Sequence, residues 1–260
     1  MALLQKPRYF RDNTLKAINK RRIGVKQESK LFTWKHFEGI IIMWLVRWYG
    51  RYALSYADLK EMAAERELKI ERSRICRWVH EYGAMLAKFI KPFLKSTDGS
   101  WRLDETYVKI KVVWHYLYRA IDKSGQTLDW MLSRKRNTKT AKRFFKKVLS
   151  NKHVKNPYVV NVDKNPAFVP AHAELQKSGD FKQNTKLRQV KYLNNGIEND
   201  HKSTKFKSRY RQWYQSFDTA KNTIDAVETM RMIQKGQLRY ASKDVGAQNK
   251  LINKIFGLAA

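Results

Sequence analysis

The order of extended and helical patterns predicts a mixed α/β protein, a domain of order β-β-β-α-β-α-β-α preceded by an all-α unit. Three observations carry this expectation. Residues 34–94 repeat apolar side chains at spacings of three and four, the period of a helix with one buried face. From residue 101 three runs rich in apolar, β-branched and aromatic residues follow in close succession. Beyond them helical and extended patterns alternate, which calls for a sheet flanked by helices.

Residues 1–33 read as a basic N-terminal extension, with nine Lys or Arg against only Asp12 and Glu28. In the helical unit, 34–94, the first helix is striped by Trp34, Phe37, Ile41, Trp44, Leu45 and Trp48. Ser55 is placed to cap a second helix, with Asp58 three residues on, near the positive end of the helix dipole. Leu59, Met62 and Ala63 form its buried face. After a turn near 67–70, a third helix turns Ile75, Trp78, Val79, Tyr82, Met85 and Leu86 inward. Its opposite face carries Arg72, Arg74, Arg77 and His80. Two helices joined by a short turn, the second basic on its outer face, are the layout of a helix-turn-helix, so Arg72, Arg74 and Arg77 are candidate DNA contacts. A plain three-helix bundle would show the same stripes.

Residues 95–100, KSTDGS, form a linker. Strands are expected over 101–111, 112–121 and 126–133, the last two joined through Asp122-Lys123-Ser124-Gly125, a hairpin signal. A basic amphipathic helix follows at 138–149, with Ala141, Phe144, Phe145 and Val148 on its apolar side, then a short apolar strand at 157–162. A helix at 165–177 tolerates Pro166 in its first turn. A strand at 187–192 and helices across much of 194–235 complete a domain spanning 101–235, and 236–260 reads as a C-terminal tail. This order is that of a ribonuclease-H-like domain.

The charge balance restricts the partners. Lys and Arg number 54 against 23 Asp and Glu, a formal net charge of +31. Self-repulsion on that scale opposes compactness, and a polyanion relieves it. Nucleic acid fits better than an anionic membrane or a merely basic assembly protein. Cys76 is the only cysteine, which excludes an intrachain disulfide and a Cys-rich zinc site; it reads as a buried structural thiol. The apolar run Ile40–Val46 is far shorter than the roughly 20 residues that span a bilayer. The N-terminus lacks an apolar signal-peptide core. The expectation is a cytoplasmic protein with no membrane partner, associated with the nucleoid when on DNA.

Against this basic background the acids stand out. Between Asp129 and Glu174 the chain has one, Asp163, at the end of the apolar run PYVVNVD. Between Asp180 and Asp218 it has two, Glu198 and Asp200. Strand ends of this kind are where open α/β sheets place ligand sites. Asp104 lies on the first strand, and pleat alternation sends it and Glu105 to opposite sides, so that only one is expected to face a site shared with Asp163. Any one of these acids alone reads best as a solvated charge or an ion-pair partner. Together, on a chain that binds polyanions, they point to a bound cation. Mg²⁺ takes hard oxygen ligands from a few carboxylates and from substrate phosphates. Two such ions roughly 3.5–4 Å apart activate an attacking oxygen and stabilise a leaving one.

The blocks WRLDETYVKI, WHYLYRAIDKSGQTLDWMLS, VDKNPAF and QVKYLNNGIENDHKSTK resemble the DDE transposases of the insertion-sequence-six family. The 34 residues between Asp163 and Glu198 match the spacing that marks that family. Lys205 lies seven residues after Glu198, about two helical turns, on the same helix face. The likeness continues through the helix-turn-helix region and down to NKIFGLAA, covering about residues 34–260. It implies catalytic metal ligands Asp104, Asp163 and Glu198, with Lys205 as an accompanying basic residue. It implies two Mg²⁺ ions, for which Mn²⁺ would substitute. The implied reaction is cleavage at the ends of a bacterial insertion element and joining of the freed 3′ hydroxyl to target DNA. The partners are then double-stranded DNA, as terminal inverted repeats and target, and further copies of the chain, at least a dimer on DNA. Lys202 and Lys205 join the candidate DNA contacts, and His201 is a candidate neighbour of the site. His115, between Trp114 and Tyr116 on a strand, reads as packed core. Where the family pattern leads one to expect glycine followed by Lys or Arg, this chain has Val112-Val113, which leaves the first hairpin turn without its glycine. The alternative function is a catalytically impaired copy acting as a non-enzymatic DNA-binding protein or repressor.

Overall fold

The computed structural model describes residues 31–190, 214–239 and 243–258. The N-terminal helical unit contains α1 (Gly39–Arg51), α2 (Tyr56–Ala64) and α3 (Arg72–Phe89), followed by a 3₁₀ turn at Lys91–Phe93. The first helix begins later than its apolar stripe suggests. Trp34 precedes it in a left-handed conformation, φ 64°, and is 90% exposed. Ile42, Met43, Leu45, Val46 and Tyr49 form the buried face instead. At α2 the Ser55 hydroxyl accepts from the Asp58 amide (3.1 Å) and the Asp58 carboxylate accepts from the Ser55 amide (2.7 Å), a complete capping box. On α3, Ile75, Trp78, Val79, Tyr82 and Leu86 are buried, as the three-and-four spacing demands. Cys76 is only partly buried, 3.9 Å from His80, because it flanks the buried stripe rather than sitting within it.

The second unit is a five-stranded sheet of order β3-β2-β1-β4-β5. Its strands are β1 (Ser100–Ile110), β2 (Val113–Asp122), β3 (Thr127–Ser133), β4 (Val159–Val162) and β5 (Lys186–Gln189). The first three form an antiparallel meander, and β4 and β5 run parallel to β1. This is the ribonuclease-H-like arrangement. The turn from β1 to β2 closes without glycine: Ile110 pairs with Val113, and Lys111 takes the left-handed conformation, φ 51°. An L-residue there costs roughly 1–2 kcal/mol. The Lys111 amide donates to the Tyr214 carbonyl (2.8 Å), which ties the strained residue to the chain beside it.

Helices α4 (Thr138–Leu149) and α5 (Phe168–Lys177) cover one face of the sheet, enclosing Trp101, Leu103, Phe144, Phe145, Val160 and Phe168. On the other face lies α6 (Phe217–Gln234), whose Ala220 and Ile224 pack on Val108, Ile110, Leu117 and Leu132. Its C-terminal half then leaves the sheet, and Ala226, Met230 and Ile233 join the core of the helical unit. Close approach there requires small residues. A Cβ on Gly83 would meet the Ala226 Cβ at 2.4 Å, and one on Gly50 the Met230 Cγ at 2.4 Å. Within the segment expected to be a tail, α7 (Val245–Ile255) is capped by Asp244 and buries Leu251, Ile252 and Ile255 in that same core. Of the strand expected over 187–192 and the helices across 194–235, residues 191–213 lie outside the described residues.

Candidate active site

The sheet brings Asp104 and Asp163 to one end. Parallel pairing sets Arg102 of β1 opposite Asn161 of β4, so two residues further along Asp104 comes level with Asp163, just past the end of β4. Their proximity is electrostatic as well as topological. Burial raises the pKa of Asp163 above the usual carboxylate range, and the negative charge of Asp104 raises it further, against lowering by the Asn165 amide and by Arg136. The Asp163 Oδ1 accepts from the Asn165 amide (3.1 Å), which fixes one oxygen, while Oδ2 lies 3.9 Å from an Arg136 guanidinium nitrogen. Asp104 accepts from the Glu105 amide (2.6 Å).

Glu105 and Asp104 point to opposite faces: Asp104 raises the pKa of Asp163, whereas Asp163 raises that of Glu105. Asp163 lies beyond the last paired residue of β4, at the rim, where the two faces meet. Glu105 is almost fully buried on the α4/α5 face, its side chain 3% exposed. It forms an ion pair with Arg136, immediately before α4, and accepts from the Asn165 side-chain amide (2.7 Å). Asn165 in turn accepts from the Ala167 amide (3.0 Å), at the start of α5. Burial raises the Glu105 pKa, the Arg136 pair pulls it down, and Asp163 pushes it up again. Burial opposes the charge on Arg136, but Glu105 outweighs it and holds the guanidinium protonated more firmly than usual. One residue of the network therefore binds the first strand, the loop after β4 and the start of α5 together. Sequence reasoning passed over Arg136 and Asn165. The signal for Asn165 was its place two residues after Asp163; Arg136, in a segment crowded with basic residues, gave none.

The remaining candidates distribute as follows. Glu198, His201, Lys202 and Lys205 lie outside the described residues. Arg72 and Arg77 are exposed on α3. Arg74 is only half exposed, its guanidinium stacked over Phe37 at 5.6 Å, so it does not stand free on the outer face. His80, expected on that face, turns toward α6: its Nε2 lies 3.2 Å from the Thr223 hydroxyl. Burial lowers its pKa, as a histidine facing a packed helix should show. His115 is buried against Phe217, ring centroids 5.8 Å apart, as a core residue.

The donor set suits a hard divalent cation. Asp104 and Asp163 supply carboxylate oxygens at a solvent-accessible sheet end, and Asp163 is 35% exposed. A partly buried carboxyl such as Asp163, its pKa raised by burial and by a neighbouring carboxylate, is stabilised in its charged form by a cation placed between the two. Among the described residues, no group of three or more His, Cys, Asp or Glu side chains is arranged to hold a metal ion. None of the described helices is long and apolar enough to cross a membrane.

Residues 98–237 match the DDE domain family DDE_Tnp_IS240. Over 208 residues the chain is 38% identical to the transposase for insertion sequence-like element IS431mec of Staphylococcus aureus, covering 80% of this chain and 90% of the relative. Identity and coverage are the same for the transposase of insertion sequence element IS257 in transposon Tn4003, also from Staphylococcus aureus. Among solved structures, the HTLV-2 integrase catalytic core domain in complex with magnesium is 19% identical, with a TM-score of 0.36, covering 52% of this chain and 85% of that one.

Proposed function

The chain belongs to the DDE transposases of the insertion-sequence-six family, and from that membership and the acid pair at the sheet end we propose that it cleaves and joins DNA with divalent metal ions held by Asp104, Asp163 and Glu198. The observation that carries this reading is the approach of Asp104 and Asp163, 59 positions apart in sequence, to one solvent-accessible end of the sheet. Bound Mg²⁺ there polarises the phosphodiester and favours an ionised attacking oxygen. The protein's own groups do the positioning. The Asn165 amide fixes one Asp163 oxygen and leaves the other for the cation. Glu105 holds the Arg136 guanidinium near Asp163, where its planar fork is suited to a phosphate oxygen of the DNA. Lys205 would supply a further positive charge for the phosphate, with Lys202 as a further DNA contact and His201 as a candidate neighbour of the site.

The substrates are double-stranded terminal inverted repeats and target DNA. The exposed Arg72 and Arg77 suit α3 to the major groove. At least two copies act together, since two element ends are joined in one event, and the setting is the bacterial cytoplasm. Incubation with the element's own terminal repeats and Mg²⁺ tests this by nicks at the element boundary, with Mn²⁺ in a parallel arm. Binding without metal-dependent nicking would leave a non-catalytic repressor. Ala substitution at Arg72 and Arg77 together should lower the salt slope of end binding by about two phosphate contacts' worth. An unchanged slope would reduce the helical unit to a structural bundle.

A further inference from the structure

The end of α4 away from Arg136 carries a second feature, a cavity of about 550 Å³. Twelve helical residues, roughly 18 Å, separate the two ends, so this cavity is distinct from the acid site. Lys91, Lys152 and Arg239 line it, with Ser150, Asn151 and His153. It is built at a seam. Lys91 follows α3, residues 150–153 follow α4, and Arg239 follows α6. Backbone bonds lock the three segments: Arg239 amide to Phe93 carbonyl (2.8 Å) and Thr97 amide to His153 carbonyl (3.0 Å). The Arg239 Nε donates to the Leu94 carbonyl (3.1 Å), which aims the guanidinium.

Among the described residues no carboxylate lines this cavity, and Asp129 borders only the small space beside it. The acid nearest to His153 in charge, Asp129, is occupied by Lys147 and by the Asn151 side-chain amide (2.8 Å). His153 itself is only 8% exposed, and its Nε2 has no hydrogen-bond partner among the described residues. A hydrogen bond to the Leu128 carbonyl holds the ring in place. A space of about 20 Å³, bordered by the same Lys91, Asn151 and His153, has room for one bridging water. Three exposed cations around a space bordered by a buried, unpartnered ring nitrogen suit an anion with several oxygens, to which the imidazole donates once protonated.

We propose that this cavity seats a backbone phosphate of duplex DNA, with Lys91, Lys152 and Arg239 supplying charge and the His153 ring, protonated as the phosphate enters, donating from its buried Nε2. It deepens the DNA-processing reading by naming a contact surface remote from the acids. A phosphodiester carries no sequence information, so the site positions the duplex without selecting its sequence.

Lys91→Ala/Lys152→Ala/Arg239→Ala is compared with a control of equal charge, Lys123→Ala/Lys177→Ala/Lys182→Ala, all exposed and away from the cavity. Affinity for a metal-free duplex is measured over a range of KCl concentrations. The cavity triple should flatten the salt dependence by about one more in slope than the control, for any duplex sequence. Equal slopes for the two triples overturn the proposal. Because Arg239 also braces the seam, Lys91→Ala/Lys152→Ala is run beside it, and its slope should likewise fall more than the control's, by up to about one. NMR of the His153 ring in the wild-type chain gives an independent reading. Saturating duplex should move its signals and raise its pKa, which burial and Lys91 lower and Asp129 raises in the free protein. No movement with duplex, or movement with inorganic phosphate alone, overturns the proposal. A wild-type chain that fails to bind duplex at all refutes the DNA reading itself.

Discussion

Two ion-paired clusters flank the same sheet and differ in ratio. In the core between β2 and α6, Glu228 is fully buried and shared by two arginines: Arg119, also fully buried, at 3.0 Å, and Arg231 at 3.9 Å. At the sheet end the ratio reverses. Arg136 is shared by Glu105 and Asp163, and Asp104 presses its charge on Asp163 as well. One cluster is sealed from solvent, and the other leaves Asp163 about one-third exposed. A carboxylate paired with arginine is therefore a cation site only where the chain's own cations leave charge uncompensated and solvent can reach it. Glu228 is held by arginines the chain itself buries, whereas the sheet-end acids have more carboxylate than the nearby guanidinium neutralises and an open path to solvent.

That contrast breaks most sharply at Asp163. Asp163→Asn should lower cleavage on the order of a thousandfold or more, since loss of several kcal/mol of transition-state stabilisation costs about tenfold per 1.36 kcal/mol. Its melting temperature without metal should hold or rise, because a charge disfavoured by burial and by Asp104 is removed. The sign with pH follows. A carboxyl whose folded pKa is raised destabilises the fold when ionised, and the penalty fades as pH falls through the folded value toward the ordinary one. The melting advantage of the mutant should thus shrink as pH drops into the weakly acidic range. A mutant that melts normally and nicks at the wild-type rate would remove Asp163 from the site.

The sealed cluster should respond in the opposite way. Glu228→Gln leaves buried arginines uncompensated and should cost about 3–5 kcal/mol of stability, read by denaturant titration. Cleavage per folded molecule should stay unchanged. Equal stability in mutant and wild type would mean that the pair is not sealed. Glu105→Gln tests the hinge between the two behaviours. It keeps an acceptor for Asn165 but releases Arg136, so cleavage should fall about tenfold with little change in melting, a difference of about 1.4 kcal/mol at the transition state. A full loss comparable to Asp163→Asn would instead make Glu105 a metal ligand. The smallest effect belongs to the hairpin between them. Lys111→Gly should relieve the left-handed strain at φ 51° and stabilise by up to about 1 kcal/mol, with cleavage unaffected. A loss of stability would show that the Lys111 side chain matters more than its backbone.

Much of this was legible in the chain. The meander is read from β-rich runs, and α4 is read at 138–149 from Ala141, Phe144, Phe145 and Val148 because its apolar stripe is complete. Asp163 is legible because a lone acid ends an apolar run. Other features were hidden for physical reasons. Trp34 and Phe37 fit a helical spacing, but periodicity does not report where a helix begins, and Trp34 ends exposed. Arg119 sits inside the apolar run LYRAID with nothing local to announce Glu228, 109 positions away in sequence. His80 follows the arginines at helical spacing, yet α6, distant in sequence, claims that edge of α3. Long-range partners decide these cases, and single-residue spacing does not encode them.

Helix α6 is a member of two cores at once, seating Ala220 and Ile224 on the sheet and Met230 and Ile233 among α1 and α3. A strut shared in this way lets neither unit pivot without tearing apolar contacts from the other. The basic face of α3 and the acids at the sheet rim consequently keep a fixed offset, as the jaws of a locked caliper do. If α3 and the sheet-end acids engage one duplex, as proposed, the protein measures it along its length, in base pairs. Inserting a few base pairs between the recognised sequence and the cut would put the scissile bond on the wrong side of the double helix as well as out of reach.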